Sequence, residues 1–300
     1  MPGVAVVTDS TSSLTPAAAD QAGVVVVPLQ VIVDGRSRLE SFRPGVGTLT
    51  PGAVAAALRE GRTVSTSRPA PEAFSSAYAA AAERGASAIV SVHLSGAISG
   101  TCDAAQTAAR TAPIPVTVVD SRTVASGCGF AALAAAAAAS AGATADTVAE
   151  VARRRSDASV TYFCVESLEY LRRGGRIGAA QALLGSALAV KPLLGVVDGQ
   201  ITPHERVRTM SRALARLEEL AIDALDGQDR RADGSAVEPS GVGADVAVLH
   251  LDNRSAADRL ARSLSTRGAG VASMTVSEVS AVLGVHCGPG TVGVVVSPRL

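Results

Sequence analysis

The chain has 300 residues, of which 47% are hydrophobic and 18% are charged, and its 27 basic side chains balance 27 acidic ones. This apolar content excludes disorder as the main state, because a chain of this kind can bury a sizeable core. The balanced charge excludes the strongly basic face that nucleic-acid-binding proteins present. Length and composition therefore indicate a globular protein, and we favour two domains over one.

The first half of the chain alternates predicted strands and helices. Thr15-Pro16 and Thr50-Pro51 each place a capping hydroxyl before a proline, which is typical of a helix N-terminus. The predicted strands are residues 4–7, 24–33 (broken at Pro28), 86–93 and 116–119, and the predicted helices begin at 16 and span 51–61, 71–84, 101–112, 124–140 and 144–155. This alternation predicts βαβ units and a mostly parallel sheet.

The second half has a different pattern, which includes a predicted hairpin at Asp198-Gly199. Its predicted strands are residues 160–165, 193–197, 201–207, 246–251, 270–276 and 292–296, its predicted helices are 179–189, 209–224 and 255–265, and an apolar turn leads into His286. Residues 226–243 are rich in Gly, Asp, Arg, Pro and Ser and predict an exposed, flexible loop. We therefore predict two α/β domains, residues 1–157 and 158–300.

Several motifs with known chemistry are absent from the sequence. There is no P-loop, and the four histidines have no second ligand at helical spacing, so no local metal site is predicted. The four cysteines are spread singly, which predicts free thiols instead of a disulfide framework. Gly288, Gly290 and Gly293 satisfy G-x-G-x-x-G, but a predicted strand follows them where a dinucleotide site needs a helix.

The sequence shows no targeting or membrane-spanning segment. No basic segment precedes an apolar stretch at the N-terminus, which argues against a secretory signal. The longest apolar run, residues 130–139, is too short to cross a bilayer. We therefore predict a cytoplasmic protein without an integral membrane segment.

Two hydroxyl-rich segments are the best candidates for a binding site. Thr66 and Ser67 lie in a predicted turn before one helix, and Ser95, Ser99 and Gly100 lie in the turn between a strand and the next helix. Helix N-termini offer free N–H groups, glycine permits close approach, and neutral hydroxyls donate to anions. Both turns suit a carboxylate or a phosphate. The alternative is that Thr66 and Ser99 are ordinary helix caps.

Eight short motifs occur in order along nearly the whole chain. They are T-D-S-T at 8–11, T-S-R-P at 66–69, I-S-G-T at 98–101, V-D-S at 119–121, L-R-R-G-G-R-I at 171–177, K-P at 191–192, V-R-T at 207–209 and H-C-G-P-G-T-V-G at 286–293. Together they resemble the motifs of the DegV family of bacterial fatty-acid-binding proteins.

The resemblance implies a two-domain α/β fold that holds a long-chain fatty acid and uses no other cofactor. It implies that Thr66 and Ser99 bind the carboxylate, with Ser67, Ser95, Gly100 and His286 as secondary candidates. It places His286 and Arg208 at the exposed end of the site, where an ATP-dependent fatty-acid kinase would phosphorylate the acyl chain. The protein itself would then be a binding protein and no enzyme.

The sequence leaves the roles of two arginines open, Arg176 and Arg68. Arg176 is a candidate for the partner-facing surface, and with Arg172 and Arg173 it forms a basic turn that either binds phosphate or is simply solvated. Arg68 replaces the glutamine usual in the family motif and either pairs with the carboxylate or points to solvent.

Gly96 stands where many family members have a second serine, and the 226–243 insertion is longer than expected.

The composition is compatible with a fatty acid as ligand. Each buried CH₂ contributes about 0.8 kcal/mol, so a sixteen-carbon chain such as palmitate contributes on the order of 10 kcal/mol before ordering costs. Aromatic side chains make up only 2% of the sequence, which argues against stacking on sugars or nucleobases. The alternatives are a hydrolase or transferase that uses the same pocket, for instance through Cys287 and His286, and a lipid-responsive interaction protein.

Overall fold

Three β-sheets form the frame of the protein in a computed structural model, which describes residues 3–67, 69–183, 191–227 and 243–300. The strands are β1 (Val4–Asp9), β2 (Val24–Val27), β3 (Gln30–Val33), β4 (Arg36–Glu40), β5 (Thr48–Leu49), β6 (Val64–Ser67), β7 (Ala88–His93), β8 (Val116–Asp120), β9 (Val160–Cys164), β10 (Lys191–Val197), β11 (Gln200–Val207), β12 (Ala244–His250), β13 (Val271–Glu278) and β14 (Val292–Pro298). The helices are α1 (Pro16–Ala22), α2 (Pro51–Arg59), α3 (Pro71–Glu83), α4 (Thr101–Ala109), α5 (Ser126–Ser140), α6 (Ala145–Ala158), α7 (Glu169–Arg173), α8 (Met210–Asp226), α9 (Arg254–Arg267) and α10 (Ala281–Cys287), with 3-10 helices at Ser10–Ser12 and Gly178–Leu183.

The first sheet is parallel and has the strand order β2-β1-β7-β8. The alanine-rich helices α5 and α6 cover one face, where they pack against Val6, Val90 and Val92. Helices α3 and α4 cover the other face, where Phe74 and Tyr78 are fully buried. The βαβ units predicted for the first half of the chain are thus confirmed.

The second sheet is small and has the order β5-β4-β3-β6. The break predicted at Pro28, which has no N–H to donate, is confirmed: the run 24–33 forms β2 in the parallel sheet and β3 in the small sheet. The predicted turn at Thr66 and Ser67 is wrong, because both residues lie in β6, where Thr66 pairs antiparallel with Val31.

The third sheet has six strands in the order β11-β10-β9-β14-β12-β13 and is parallel only between β12 and β13. Helices α8 and α9 pack on one face through Leu217 and Leu260. The hairpin predicted at Asp198-Gly199 is confirmed. The apolar turn predicted before β14 is wrong, because this segment forms α10, which is capped by the side chain of Ser280.

Three sequence-based predictions are not settled by these elements. The helix predicted at 179–189 begins as the 3-10 helix Gly178–Leu183, and residues 184–190 lie outside the described residues. The flexible loop predicted at 226–243 falls almost entirely on residues 228–242, which are also outside them. The domain boundary near residue 157 stays a prediction, although the parallel sheet takes its strands before that point and the six-stranded sheet after it.

Glu40 connects the small sheet to α10. Its carboxylate accepts a hydrogen bond from Ser10 Oγ, which itself accepts one from the N–H of Leu29 at 2.8 Å. The other carboxylate oxygen accepts from the N–H of Val282 at 2.9 Å. Burial raises the pKa of Glu40 to about 7 despite these hydrogen bonds. The position of α10 therefore depends on a polar contact with a strand some 240 residues earlier in the chain.

A buried ion pair joins α6 to the six-stranded sheet. The Arg155 side chain, which is only 6% exposed, pairs with Asp245 of β12 at 2.6 Å. It also donates to Ser297 Oγ at 2.7 Å, and Arg299 pairs with the same Asp245 carboxylate at 2.6 Å. Because α6 also covers the parallel sheet, this cluster connects the two large sheets.

We predict that Asp245→Asn lowers the free energy of unfolding by about 3 kcal/mol, because it leaves the buried guanidinium of Arg155 without its counter-charge. The control is Asp258→Asn, which breaks the exposed pair between Arg254 and Asp258 and should cost less than about 1 kcal/mol. Urea unfolding of the two variants measures the difference. Equal small losses would show that the buried cluster does not hold the sheets together.

Candidate functional site

A largely apolar cavity lies between the inner face of the six-stranded sheet, α10 and the loops that follow β7 and β8. The empty space between its lining atoms, counted together with the part that opens to solvent, is about 960 Å³. Its apolar lining includes Leu94, Val124, Phe163, Leu249, Leu283 and Val294. Because these side chains come from separate parts of the chain, the cavity exists only in the folded protein.

Polar side chains cluster at one part of this wall. Thr66 and Ser67 reach the cavity from β6, Ser99 from the loop after β7, and His286 from α10. Arg176 joins them, since its Nε donates to the carbonyl of Ile98, the residue before Ser99, at 3.0 Å. The structure therefore brings four of the predicted ligand-site residues to the cavity.

His286 forms the central contact of this polar cluster. Its Nε2 lies 2.9 Å from Thr66 Oγ1. Burial and the nearby charge of Arg176 lower the pKa of the imidazole to about 4, so the ring is neutral at pH 7. The His286 side chain itself is buried, at 9% exposure, and its assignment to the exposed end of the site stays a prediction.

Gly174 leaves the space that the His286 ring needs. A Cβ at position 174 would lie 2.0 Å from His286 Nδ1, so any other residue would displace the ring. Nδ1 is buried without a hydrogen-bond partner among the described residues. We therefore assign the proton to Nε2, because an orphaned N–H donor is the rarer arrangement in a protein interior. Nε2–H then donates to Thr66, and the Thr66 hydroxyl is free to donate into the cavity.

Neither Thr66 nor Ser99 is a helix cap, so that alternative is wrong. The N-cap positions are Ala70 for α3 and Gly100 for α4, and neither helix has a side-chain capping hydrogen bond. Ser99 Oγ instead lies 2.9 Å from Thr101 Oγ1. Gly100 is not among the residues that line the cavity, and its part is confined to starting α4.

The loop that carries Ser99 is held at its base by buried hydrogen bonds. Asp9 Oδ2 lies 2.9 Å from His93 Nδ1 at the end of β7. Ser95 Oγ donates to the carbonyl of Gly199 at 2.8 Å and accepts from the N–H of Ala97 at 3.2 Å. The Ser95 hydroxyl hydrogen is therefore engaged by the protein and does not point into the cavity.

The two departures from the family motif have different outcomes. The structure explains why position 96 is a glycine, because a Cβ there would lie 2.8 Å from Asp120 Oδ2. This oxygen accepts a hydrogen bond from the Gly96 N–H at 3.1 Å. A serine would disturb this contact. Arg68 lies outside the described residues, so its direction stays an open question.

The arginines of the basic turn are not equivalent. Arg172 and Arg173 both pair with Glu169 and lower the pKa of that carboxyl to about 2. They are exposed and already have a counter-charge, which favours the solvated alternative over a phosphate site. Arg176 is half-buried at the cavity instead. Arg208 is exposed and has no ion pair with another described residue.

A protein-family model described as "Uncharacterised protein, DegV family" matches residues 3–299 of the chain. The chain belongs to the DegV family. A DegV domain-containing protein of Streptomyces coelicolor is 50% identical over 296 residues and is matched over 99% of both chains. A DegV domain-containing protein of Deinococcus radiodurans is 38% identical over 302 residues and is matched over 98% of both chains. The family assignment made from the eight motifs is thus confirmed.

Solved structures of DegV family members have the same fold. The fatty-acid-binding DegV family protein of Thermus thermophilus has a TM-score of 0.86 and 31% identity, with 99% of this chain and 100% of that chain covered. The fatty-acid-binding protein DegV of Bacillus subtilis has a TM-score of 0.85 and 28% identity, with full coverage of both chains. The predicted α/β DegV-like fold is therefore confirmed.

The cysteine that lines the cavity of this DegV protein, Cys287, is not an activated nucleophile. Burial raises the pKa of the Cys287 thiol, which lines the cavity, to about 12. The thiolate is the reactive form of cysteine, and the hydrogen-bonding nitrogen of His286 is directed at Thr66. The geometry therefore gives no support to a Cys–His hydrolase.

The described residues contain neither a metal-binding cluster nor a membrane-spanning helix. Within residues 3–67, 69–183, 191–227 and 243–300, no group of three or more His, Cys, Asp and Glu side chains could hold a metal ion. No helix in these ranges is both long and apolar enough to cross a bilayer.

Sequence analysis missed the position of Arg176 in the cavity wall. The sequence made Arg176 a candidate for a partner-facing surface and part of a basic turn that either binds phosphate or is solvated. One available signal was Ile177, a buried residue directly after Arg176 that anchors the turn in the interior. Sequence analysis also missed the Glu40 contact with α10, since no local pattern links residues so far apart.

We predict that His286 makes folding sensitive to mild acid. Unfolded histidine takes up a proton near pH 6.5, but the buried ring does so only near pH 4. Between these values the unfolded state binds more protons, so the free energy of unfolding falls as the pH falls.

Urea unfolding of the wild type and of His286→Asn at several pH values tests this prediction. The stability difference between the two proteins should shrink by about 2 kcal/mol from pH 7 to pH 5, since each pKa unit corresponds to about 1.4 kcal/mol. A difference that does not change with pH would contradict a buried, neutral His286.

Proposed function

We propose that this protein binds a long-chain fatty acid in the cavity, with the carboxylate at the cluster of Thr66, Ser99 and Arg176. The observation that carries the proposal is the contrast within one cavity: apolar side chains line most of it, whereas Thr66 contacts His286 and Arg176 binds the residue before Ser99. Two further hydroxyls of the lining, Thr161 and Thr291, have hydrogen-bond partners in the protein. An amphiphile with one anionic end and a long apolar tail matches this distribution.

The polar cluster provides hydrogen-bond donors for a carboxylate, and only one of these donors is positively charged. The Thr66 hydroxyl is oriented by the neutral His286, and Ser99 supplies a second hydroxyl nearby. Arg176 adds a positive charge that its hydrogen bonds to the carbonyls of Ile98 and Gly174 hold in place. Hydrogen bonds to a charged acceptor contribute about 1.5–3 kcal/mol each, which suffices to orient the head group.

The apolar walls would supply most of the affinity. At about 0.8 kcal/mol for each buried CH₂, a sixteen-carbon chain contributes on the order of 10 kcal/mol before the cost of ordering it. The Thermus thermophilus and Bacillus subtilis DegV proteins are both described as binding fatty acids, which supports the same ligand class here. The preferred chain length depends on the shape of the cavity.

We also propose that the protein presents the bound acyl group to an ATP-dependent kinase that forms an acyl-phosphate, in the cytoplasm. A second, more polar cleft supports this part, because Thr66, Arg176 and His286 border it as well as the cavity. The remaining polar lining of this cleft includes Arg62, Ser65, Tyr170 and Arg173. A kinase would reach the carboxylate from this side, and the exposed Arg208 is the candidate contact on the outer surface.

Removal of both hydroxyls in Thr66→Val/Ser99→Ala should abolish stoichiometric fatty-acid binding. Loss of two hydrogen bonds to a charged acceptor weakens binding at least about a hundredfold. Mass spectrometry of organic extracts, run beside the native mass of each protein, measures the occupancy. The control variant Ser65→Ala/Thr107→Val removes a neighbouring and a distant exposed hydroxyl and should keep full occupancy. A folded Thr66→Val/Ser99→Ala protein with full occupancy would contradict the assigned site.

Charge reversal in Arg208→Glu should leave fatty-acid occupancy unchanged and reduce acyl-phosphate formation by the host's fatty-acid kinase at least about tenfold. The physical reason is that like charges across an interface slow association and weaken the complex. Arg110→Glu, at an exposed arginine after α4, is the matched control. Equal acyl-phosphate formation by both variants would remove Arg208 from the partner surface.

A further inference from the structure

The six-stranded sheet ends in two edge strands of eight residues each, β11 and β13, which are protected to different degrees. An edge strand presents unpaired backbone N–H and C=O groups, and proteins usually block it with proline, charged side chains or a covering segment. β11 has all three. It contains Pro203 and Arg206, and the Arg206 guanidinium donates to the carbonyl of Ala182 in the neighbouring 3-10 helix at 3.3 Å. This edge is therefore closed to another strand.

β13 has none of these protections along most of its length. Its first seven residues, Val-Ala-Ser-Met-Thr-Val-Ser, include no proline and no charged side chain, and Glu278 is the last residue of the strand. Ala272 and Thr275 are exposed. From Ser273 onward β13 pairs regularly with β12 on one side, and no strand lies on its other side among the described residues. The regular part of β13 therefore leaves a free backbone edge.

The side chains of β13 divide between the two faces of the sheet. Met274 and Val276 pack into the core beneath α8 and α9, where Ser265 Oγ donates to the sulfur of Met274 at 3.4 Å. Ser273 and Thr275 lie on the other face, beside α5. This alternation decides which residues of a further strand lie opposite them, because paired residues on neighbouring strands point to the same face.

An apolar groove lies between β13 and α5. Residues 130–139 of α5 are all apolar, and a helix that is apolar on every side is typical of a buried position. One side of α5 packs on the parallel sheet through Ala132 and Ala135, whereas the other side borders the groove and leaves Ala137 exposed. The α5 side chains that line the groove are Phe130, Leu133, Ala134, Ala137 and Ala138. An apolar surface of α5 is thus open to solvent next to the free edge of β13.

We propose that β13 pairs with β13 of a second copy of this chain, antiparallel about a two-fold axis at Thr275, so that the two six-stranded sheets become one continuous sheet. Such an axis is perpendicular to the sheet and keeps each face continuous. Residues at equal distances before and after Thr275 then lie opposite each other. Thr275 pairs with Thr275, Met274 with Val276, and Ser273 with Ser277.

The match of β13 with itself favours a second copy over a different protein. In this register an aliphatic pair forms on the α9 face and hydroxyl pairs form on the α5 face, and both kinds of cross-strand pair are stabilising. Glu278 lies near Ala272 of the other copy. The two Glu278 side chains are about 20 Å apart, because six residues at about 3.4 Å each separate them. No like charges therefore face each other along the paired strands.

Pairing through β13 also covers the open side of α5. Thr275 borders the groove, so the grooves of the two copies meet at the axis, and the apolar sides of both α5 helices line one joint cleft. Strand pairing over about five residues buries less than the roughly 800 Å² per partner of a standard interface, and α5 supplies additional apolar area. No residue of β13 lines the cavity beside α10, so the proposal does not rest on the proposed function.

Sedimentation velocity over about a hundredfold range of protein concentration measures the dimer. The wild type should shift from monomer to dimer as the concentration rises. Thr275→Lys and Thr275→Glu should each weaken the dimer at least about fivefold, because each places like charges opposite one another at the axis. An equimolar mixture of the two variants should restore the dimer, since an ammonium group then faces a carboxylate.

The control for the charge variants is Gln200→Lys, at an exposed position of the other edge strand, β11, which should dimerise like the wild type. A wild type that stays monomeric at every concentration would overturn the proposal. A mixture of Thr275→Lys and Thr275→Glu that associates as weakly as its components would overturn it as well.

Cysteine cross-linking tests the register of the two strands. In Thr275→Cys the two new thiols lie about 5 Å apart across the axis, and a short bis-maleimide should join them into a covalent dimer. In Ala272→Cys, at an exposed position of the same strand, the new thiols are about 20 Å apart and should stay unlinked. The wild type, whose four cysteines are buried or half-buried, is the blank.

Cross-linking of Ala272→Cys that equals or exceeds that of Thr275→Cys would contradict the two-fold axis at Thr275 and with it the proposal. Fatty-acid occupancy should be the same in the wild type and in all of these variants. The oligomeric state and the occupancy are thus separate measurements, and failure of the dimer is distinguishable from failure of the cavity assignment.

Discussion

The hydrogen bond between Thr66 and His286 is the contact on which the candidate site depends. It joins a strand of the small sheet to α10 across 220 residues of sequence, at 2.9 Å. The Nε2–H of the neutral imidazole donates in this contact, and the ring has room for it only because position 174 is a glycine. Glu40 holds the other end of α10 against the small sheet, so the fold fixes both ends of the helix that closes the cavity.

In the proposed function, one part of the chain supplies the binding affinity for the acyl chain and another orients its carboxylate. The six-stranded sheet and α10 provide apolar surface, whose burial is the larger energetic contribution to binding an acyl chain. The small sheet and the loop after β7 provide Thr66 and Ser99, which in the proposed function contribute less energy and orient the carboxylate. A neutral donor set beside one arginine also lets the same site release its ligand, because no multiple ion pair must be broken.

The parallel sheet and most helices were predictable, because short apolar runs alternate with longer helical segments along the first half of the chain. The short elements were not predictable. β4 reads Arg-Ser-Arg-Leu-Glu and has no apolar alternation, and α10 is a seven-residue helix with Gly284 at its centre. Both form because of distant contacts, Glu40 with Val282 and Gly284 with Leu251. Thr66 and Ser99 were found from local hydroxyl patterns, but their convergence on one cavity depends on sheet packing that no local pattern encodes.

A crystal structure of the protein with bound palmitate tests the central claim most directly. We expect carboxylate oxygens about 2.5–2.7 Å from Thr66 Oγ1 and Ser99 Oγ, with the acyl chain running between α10 and the six-stranded sheet. A palmitate bound in the reverse direction, with its methyl end at Thr66 and its carboxylate at the far end of the cavity, would contradict the account.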